Sequence, residues 1–470
     1  MKYICNSDLP FSECELAILR NAVDKAEDIK GYEMANSDDI KKVIKVVEEF
    51  INKNSLICYG GTAINNILPE YDQFYDKDKE IPDYDFFSPN ALQHAKQLAD
   101  IYNSMGYDEV EAKAGQHYGT YKVFVNFTPI ADITQVSTEL YSKLKKESIT
   151  VNKILYTPPN MLRMSMYLEL SRPAGDISRW EKVLKRLTLL NKHYPIKTKN
   201  CSYQYFTRKM EGNKSNDLFY LCRDYFINNG VVFFGGWASS VFSKYMNETT
   251  RKAIKKNPDF DVISENAKDT ATFLKKLLQD NEFKNVEIIE RQNLDEIIPK
   301  HYEIKVGKDT IAYIYQSIAC YSFNYVNIDN KKAKIATIDT MLSLFLAFLY
   351  AKRNYYDPER ILCMSNFLFK IQQKNRLAQK GVLKRFTINC YGTQATKESM
   401  RAAKGAKFEE LKDKRESKEF EAWFLNYKPS EDKHKTKKTR STKVTKRKQK
   451  RRSNRTIRNN IKRLLNPIIQ

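Results

Sequence analysis

Apolar residues recur along the chain in two rhythms, which predict helices that alternate with short strands. Near the N-terminus one stripe follows the i, i+3, i+4, i+7 spacing of a helix with a buried face. The stripe consists of Val43, Ile44, Val47, Phe50 and Ile51. Ser37 is expected to cap this helix, because Asp38 and Asp39 follow it and favour the positive end of the helix dipole. Residues 1–54 are therefore predicted to be a helical N-terminal segment.

The pattern changes at Ser55, where a short apolar run ends in Gly60 and Gly61. A run of this length before a glycine pair predicts a strand and a tight turn, followed by a helix over residues 62–68. Residues 82–88 predict a second strand. Because side chains alternate along a strand, Asp83 and Asp85 are expected on one face. The remaining predicted elements are helices at 91–105, 161–169 and 178–193 and strands at 121–126 and 130–134.

The same order of motifs occurs twice. Gly235 and Gly236 again follow an apolar run, and Asp259 and Asp261 again flank a single aromatic residue. These landmarks recur at a nearly constant distance, which indicates two related α/β units in tandem. In the second copy, Trp237 stands where the first has Thr62, and Tyr313 stands where the first has Asp132. The second copy therefore lacks a hydroxyl and a carboxylate that the first copy has, and it is predicted to be degenerate.

Composition limits the class of protein. With 470 residues and 42% hydrophobic residues, the chain can form more than one packed core. Most of the net charge of +23 falls in residues 433–470, which contain no Asp or Glu. Such a tail suits a polyanion such as RNA, although a solubilising or localisation segment accounts for it equally.

Cysteine spacing and hydropathy bear on the cellular compartment and on membrane association. None of the eight cysteines has a partner two to four residues away, so the spacing shows no zinc knuckle or redox pair. The longest apolar run, residues 341–351, is too short to span a bilayer. We expect a soluble protein in a reducing compartment that does not act on membranes. A membrane-surface protein is a weaker interpretation, which rests only on the tail.

The acidic residues suggest phosphoryl chemistry. Two carboxylates on one strand face repel each other unless cations neutralise them, and hard oxygen ligands suit Mg²⁺. If the strand that carries Asp132 lies beside them, three carboxylates could hold two ions that clamp the attacking and leaving oxygens. Gly60 and Gly61 would let backbone amides approach a triphosphate, and the Thr62 hydroxyl could donate to it. Each motif alone is ordinary; their order along the chain is the specific signal.

This order resembles the polymerase beta-like nucleotidyltransferase superfamily. The string from Tyr59 to Asn65, with residues 82–88, is similar to the poxvirus-type poly(A) polymerase catalytic subunits of large and giant DNA viruses. The resemblance implies tandem nucleotidyltransferase-fold domains of the α/β (α+β) class, each a mixed sheet flanked by helices. It further implies that Asp83, Asp85 and Asp132 are catalytic metal ligands, and that Gly60, Gly61 and Thr62 bind ATP.

The implied activity is transfer of AMP from ATP to the 3′-OH of mRNA, with two Mg²⁺ or Mn²⁺ ions. RNA and ATP are the expected partners, with a homodimer or a separate processivity subunit, in a virion or a cytoplasmic viral factory. Predicted domains are the N-terminal segment, a catalytic domain at 55–200, a degenerate domain at 201–428 and a disordered basic tail at 429–470. The degenerate domain is expected to have a structural or RNA-holding role. The alternatives are another terminal nucleotidyltransferase (uridylyl-transferring or CCA-adding-like), a nucleotide cyclase, or a non-catalytic RNA-binding scaffold.

Basic side chains in and before the helix predicted at 178–193 raise a further question. An RNA or triphosphate path could be lined by Arg163, Arg172, Lys182, Lys185 and Arg186, although a position on a helix surface accounts for each of them as well.

Overall fold

The computed structural model describes residues 10–76, 78–79, 81–199, 201, 215–245, 248, 258–375 and 377–431, apart from the side chain of Met34. Of the basic tail predicted at 429–470, residues 429–431 are among those described; the rest of the tail, with its predicted disorder, lies outside them.

The described helices follow the predicted order. They are α1 (Phe11–Asn36), α2 (Asp38–Lys53), α3 (Gly60–Ile67), α4 (Ala91–Ser104), α5 (Thr138–Glu147), α6 (Pro159–Leu170), α7 (Trp180–His193), α8 (Ser215–Asn228), α9 (Gly235–Val241), α10 (Ala267–Asp280), α11 (Ile338–Phe348), α12 (Pro358–Lys374), α13 (Lys397–Leu411) and α14 (Lys418–Phe424). The stripe on α2 packs as predicted, with Val43, Val47, Phe50 and Ile51 buried. Ser37 precedes α2 in an extended conformation, but its side chain makes no capping hydrogen bond.

The first mixed sheet joins parallel and antiparallel strands. Its strands are β1 (Ile57–Tyr59), β2 (Tyr84–Ser88), β3 (Val110–Ala114), β4 (Thr120–Val125), β5 (Thr128–Gln135), β6 (Ile149–Val151) and β7 (Ile154–Tyr156), with β16 (Asn426–Tyr427) at one edge. The spatial order is β16-β3-β4-β5-β2-β1-β7-β6. Strand β2 lies antiparallel to β1 and parallel to β5, which places both beside the strand that carries Asp85.

A second sheet repeats this arrangement later in the chain. Its strands are β8 (Val232–Phe234), β9 (Phe260–Ser264), β10 (Val286–Arg291), β11 (His301–Val306), β12 (Asp309–Gln316), β13 (Tyr321–Ile328), β14 (Lys331–Ala336) and β15 (Cys390–Tyr391). The spatial order is β10-β11-β12-β9-β8-β14-β13-β15. Seven strands of each sheet correspond one to one, so the predicted tandem of mixed sheets flanked by helices is confirmed. We call the two sheets, with their helices, the first and the second repeat.

Strand register makes the correspondence specific to residues. Tyr59 pairs with Asp85 between β1 and β2, and Phe234 pairs with Asp261 between β8 and β9. On the neighbouring parallel strands, Asp132 lies opposite Asp85 and Tyr313 lies opposite Asp261. The sequence alignment of Asp132 with Tyr313 is therefore also a structural one.

The C-terminal part of the described chain contributes to both sheets. Residues after Tyr355 are largely helical, as expected, but they also supply β15 to the second sheet and β16 to the first. Lys96 of α4 pairs with Glu421 of α14 at 2.8 Å, which adds a second link to the first repeat. The domain boundaries drawn from the sequence stay a prediction.

Two pairs of cysteines that are distant in the sequence form disulfide bonds. Cys201 is bonded to Cys363 and Cys320 to Cys390, with Cα atoms 5.4 and 5.3 Å apart. These bonds do not fit the expected reducing compartment, because disulfides persist mainly in oxidising surroundings. Partners separated by 162 and 70 residues leave no local spacing signal.

The described helices were also compared with the dimensions of a bilayer. None of those within the described ranges is both long enough and apolar enough to cross a membrane.

Candidate active site

The turn between β1 and α3 depends on glycine. Gly60 has a φ of +74°, in the left-handed region that side chains other than glycine rarely adopt. A Cβ atom at this position would stand 2.5 Å from Oδ2 of Asp85. The turn can therefore bring the backbone against the Asp85 carboxylate only because residue 60 has no side chain.

The structure brings the three predicted aspartates together. Asp83 directly precedes β2, Asp85 is the second residue of that strand, and Asp132 lies opposite Asp85 on β5. Their charges act on one another, since Asp132 influences both Asp83 and Asp85. Between them, Tyr84 points to the helical face, where its hydroxyl donates to Oε1 of Glu48 at 2.6 Å. The alternation predicted for this segment thus separates a carboxylate face from a packed face.

Thr62 is placed close to the aspartates but is already engaged. Its side chain is buried, and its hydroxyl donates to the backbone carbonyl of Asp83 at 2.7 Å. This bond ties the start of α3 to the residue before β2. Thr62 therefore braces Asp83 in this structure, and its predicted contact with a phosphate stays a prediction.

Burial and mutual repulsion raise the pKa values of Asp83 and Asp85. Burial raises the pKa of Asp85 from 3.8 to about 7, and the charges of Asp83 and Asp132 add to the rise. The pKa of Asp83 is raised for the same reasons, with burial the larger cause and Asp132 the second. A half-buried group of carboxylates with raised pKa values attracts a cation or a proton.

Lys122 is the residue that sequence reasoning missed. It lies opposite Asp132 in the β4–β5 register, and its Nζ forms an ion pair with Oδ2 of Asp132. Its charge lowers the pKa values of Asp83 and Asp85, although burial outweighs it. The alternation of β4 alone could have placed Lys122 on the carboxylate face, but only the register shows its partner.

The carboxylates of Asp83, Asp85 and Asp132 are chemically suited to a hard divalent cation, but they do not form a complete ligand shell. Carboxylate oxygens are the hard ligands that Mg²⁺ and Mn²⁺ prefer. Within the described ranges, however, no group of three or more His, Cys, Asp or Glu side chains is arranged to hold an ion. The Lys122 amine pairs with Oδ2 of Asp132, so one oxygen of the third carboxylate is engaged by a positive charge of the chain itself.

A cavity of about 1080 Å³ adjoins the aspartates. Thr62, Asp83 and Tyr75 line it, together with residues of α2 and of the β6–β7 hairpin. Neither Asp85 nor Asp132 lines it, so the cavity lies beside the carboxylate cluster rather than over it. Its volume lies near the upper end of the range of small-molecule sites.

Arg163, which could have lined a substrate path, is instead part of the core. Its guanidinium is wholly buried, and Nε donates to Oδ1 of Asn191 at 2.7 Å. It also donates to the side chain of Asn160 and to the carbonyl of Tyr194. This arginine ties α6 to α7 and has no surface for a ligand.

The glycine turn, the carboxylates on β2 and β5 and the duplicated mixed sheet define the nucleotidyltransferase fold class, present here in tandem. A solved structure of the same kind supports this: the Megavirus polyadenylate synthase superposes with a TM-score of 0.74. The superposition covers 91% of this chain and 87% of that one, at 21% sequence identity. At this identity the comparison establishes the fold.

The more specific resemblance is confirmed for the first repeat. Residues 45–176 match the family described as the poly(A) polymerase catalytic subunit. A protein of Acanthamoeba polyphaga mimivirus, provisionally named poly(A) polymerase catalytic subunit, is 28% identical over 299 residues, or 56% of this chain and 49% of that protein. An African swine fever virus protein (isolate Tick/Malawi/Lil 20-1/1983) with the same provisional name is 32% identical over 180 residues, or 37% of this chain and 38% of that protein. The chain thus spans half or less of these curated relatives.

Proposed function

We propose that the protein is a template-independent poly(A) polymerase that transfers AMP from ATP to the 3′-OH of RNA. The observation that carries the proposal is the meeting of Asp83, Asp85 and Asp132 beside the Gly60–Gly61 turn. The match of residues 45–176 to the poly(A) polymerase catalytic subunit supports it independently.

The chain's own residues have distinct parts in this proposal. Gly60 and Gly61 present backbone amides at the start of α3, where the helix dipole favours a phosphate. Thr62 fixes the position of Asp83 through its hydrogen bond to the backbone carbonyl. Asp83, Asp85 and Asp132 would hold two Mg²⁺ or Mn²⁺ ions, which activate the attacking 3′-hydroxyl and neutralise the departing pyrophosphate.

Lys122 balances charge in the absence of the ions. Its amine neutralises Asp132 and partly offsets the repulsion felt by Asp83 and Asp85. The cluster can therefore stay assembled before substrate arrives. RNA binding by the basic tail belongs to the same proposal, as does a homodimer or a separate processivity subunit. The description of the matching family as a catalytic subunit supports the separate subunit.

Primer extension tests the proposal. A 5′-labelled RNA would be incubated with each NTP separately, with Mg²⁺ or Mn²⁺, using the wild-type protein and Asp83→Ala/Asp85→Ala. We expect long ladders with ATP and none with the double variant. Extension with UTP or CTP instead would make the protein a different terminal nucleotidyltransferase, and RNA binding without any extension would favour a scaffold.

A further inference from the structure

An arginine from outside the matched region approaches the glycine turn. Arg186 lies on α7, beyond the residues 45–176 that match the family. Its Nη1 stands 2.9 Å from the position that a Cβ on Gly61 would take, and the hydroxyl of Tyr75 lies closer still. The absence of a side chain at Gly61 is therefore what admits a guanidinium and a phenol to the backbone here.

Arg186 is held in this place by aromatic residues. Its Nη2 donates to the Tyr75 hydroxyl at 2.8 Å. Its guanidinium carbon lies 4.7 Å from the centre of the Phe74 ring and 5.4 Å from that of Tyr75. An arginine stacked and hydrogen-bonded in this way has lost much of its rotamer freedom, so less entropy remains to be lost when it binds a ligand.

The aromatic pair is in turn fixed to α3. The buried amide of Asn65 accepts through Oδ1 from the backbone nitrogens of Phe74 and Tyr75, at 2.8 and 3.0 Å. Asn65 lies one helical turn after Gly61 on the same helix. The helix that begins at the glycine turn therefore also positions the arginine over that turn.

The charge of Arg186 is not neutralised by a close partner. Among the described residues it forms no ion pair within 4.0 Å, whereas the neighbouring Lys185 pairs with Glu181 at 2.6 Å. Glu169 and Arg186 influence each other electrostatically, but the carboxylate of Glu169 contacts Arg179, at 3.2 Å. A half-buried, preorganised guanidinium beside the start of a helix is suited to a phosphate oxygen.

We propose that Arg186, positioned by Tyr75 and Asn65, binds the phosphate chain of the nucleoside triphosphate at the Gly60–Gly61 turn. The proposal rests on the proposed function, and it adds a contact to the pyrophosphate part of the substrate. Arg186 would share these phosphates with the backbone amides of the turn, opposite the carboxylates. The ligand class is an anion with at least two linked phosphates, so ATP and inorganic pyrophosphate bind this site and AMP does not depend on it.

Calorimetric titration of the full-length protein with ATP, inorganic pyrophosphate and AMP in Mg²⁺ tests this contact. We expect Arg186→Ala to weaken ATP and pyrophosphate binding by about 10- to 100-fold, the range for a lost charge-assisted hydrogen bond. AMP affinity should stay at the wild-type value, and Arg186→Lys should recover part of the loss. Lys185→Ala, one residue away on the exposed side of the same helix, serves as the matched control and should bind all three ligands normally.

The outcomes separate this contact from the proposed activity. Wild-type affinity of Arg186→Ala for ATP and pyrophosphate overturns the contact, and so does an equal loss of ATP and AMP affinity, which would indicate a structural role. If the wild-type protein extends no RNA but binds pyrophosphate through Arg186, the polymerase proposal fails and the contact stands. A thermal unfolding curve of each variant shows whether α7 still packs.

Discussion

The two repeats share a backbone and differ in what fills the equivalent place. In the first repeat, β2 and β5 present Asp85 and Asp132 to a half-buried cluster with Lys122. In the second repeat, Tyr313 takes the position of Asp132, and Glu303 takes the position of Lys122 in the strand register. The charge at the position of Lys122 therefore changes from positive to negative in the second repeat, and the third carboxylate is replaced by a phenol.

Aromatic rings close the second site. Tyr313 is buried and stacks on Tyr355 at 5.1 Å, while His301 stacks on Tyr315 at 4.4 Å. Trp237, in the position of Thr62, packs with its ring 4.4 Å from that of Phe233, and the glycines of the turn, Gly235 and Gly236, are buried. Burial lowers the pKa of His301 to about 4, so the imidazole in this cluster is neutral at physiological pH.

Glu303 shows how the second repeat treats a buried charge. It accepts from Nη2 of Arg291 at 2.5 Å and from the Thr310 hydroxyl at 2.6 Å, which offsets the cost of its burial. Among the described residues, Lys122 and Arg179 are the opposing charges that act on Asp85, and they do not outweigh its burial. The comparison indicates that the second repeat neutralises its buried Glu303 with its own residues, as a structural element does. The carboxylates of the first repeat are not fully neutralised and would bind cations.

The largest expected difference in extension rate is between substitutions at Asp132 and Tyr313, which occupy the same register position in the two repeats. Asp132→Asn should lower the rate of RNA extension on the order of 10²- to 10³-fold, because the third carboxylate is lost while the side chain keeps its shape. Tyr313→Phe, which removes only a hydroxyl, should leave the rate within about threefold of wild type, since no catalytic part is assigned to it. Steady-state extension assays with ATP measure both. A similar loss from Tyr313→Phe would mean that the second repeat takes part in catalysis.

Substitution of the two equivalent glycines should separate activity from stability. Gly60 and Gly235 both have a φ of +74°, and a Cβ on either would collide with the following aspartate, Asp85 or Asp261. Gly60→Ala and Gly235→Ala should each cost about 1–3 kcal/mol of unfolding free energy in urea titrations. Only Gly60→Ala should also impair extension by the folded fraction, because it displaces Asp85. Equal RNA extension rates of folded Gly60→Ala and Gly235→Ala would contradict the assignment of catalysis to the first repeat alone.

The raised pKa of Asp85 predicts a pH dependence of the metal-free protein. Because the folded-state pKa is about 7 and the ordinary value is 3.8, the native state holds a proton that the unfolded chain releases. The stabilising contribution is complete below the ordinary pKa and is lost as the pH rises through 7. Since protons compete with cations for the carboxylate, Mn²⁺ affinity should rise about tenfold per pH unit below 7.

Chemical unfolding between pH 4 and 8, without metal, measures the first effect, and Mn²⁺ titration measures the second. Asp85→Asn is the control, and it should flatten the stability profile across this window. A wild-type profile already as flat as that of Asp85→Asn would contradict the electrostatic account of the cluster.

The smallest effect is expected from Lys122. Lys122→Met should lower the stability of the metal-free protein by about 1 kcal/mol, the upper range for a partly exposed ion pair. Saturating Mg²⁺ should restore the difference, because the cation would then neutralise Asp132. Thermal unfolding with and without Mg²⁺ provides the measurement. A deficit that Mg²⁺ does not reduce would show that Lys122 has a packing role unrelated to the cation.

The sequence predicted the parts of the site that depend on local order. The glycine turn, the alternation of Asp83 and Asp85 and the apolar strand around Asp132 are all short-range patterns, and the structure places them together. The duplication could be recognised because both copies retain these patterns at similar spacing. The match of Asp132 to Tyr313 also came from spacing, and the parallel register confirmed it.

Contacts that depend on distant segments left no pattern to find. Lys122 meets Asp132 only through the antiparallel register of β4 and β5, and Tyr75 reaches Gly61 only because Asn65 holds its backbone. The disulfide partners are likewise far apart along the chain. Strand β16 has two residues, too few for a hydrophobic alternation, so its addition to the first sheet followed from tertiary packing rather than from local sequence.

The central claim is that the first repeat, and not the second, binds the catalytic cations. Mn²⁺ binding followed by electron paramagnetic resonance, with a non-hydrolysable ATP analogue present, tests this directly in Asp83→Asn/Asp85→Asn and in Asp259→Asn/Asp261→Asn. We predict that the first double variant loses the bound Mn²⁺ signal and that the second keeps it at the wild-type stoichiometry. Retention of the signal in the first variant, or its loss in the second, would contradict the assignment.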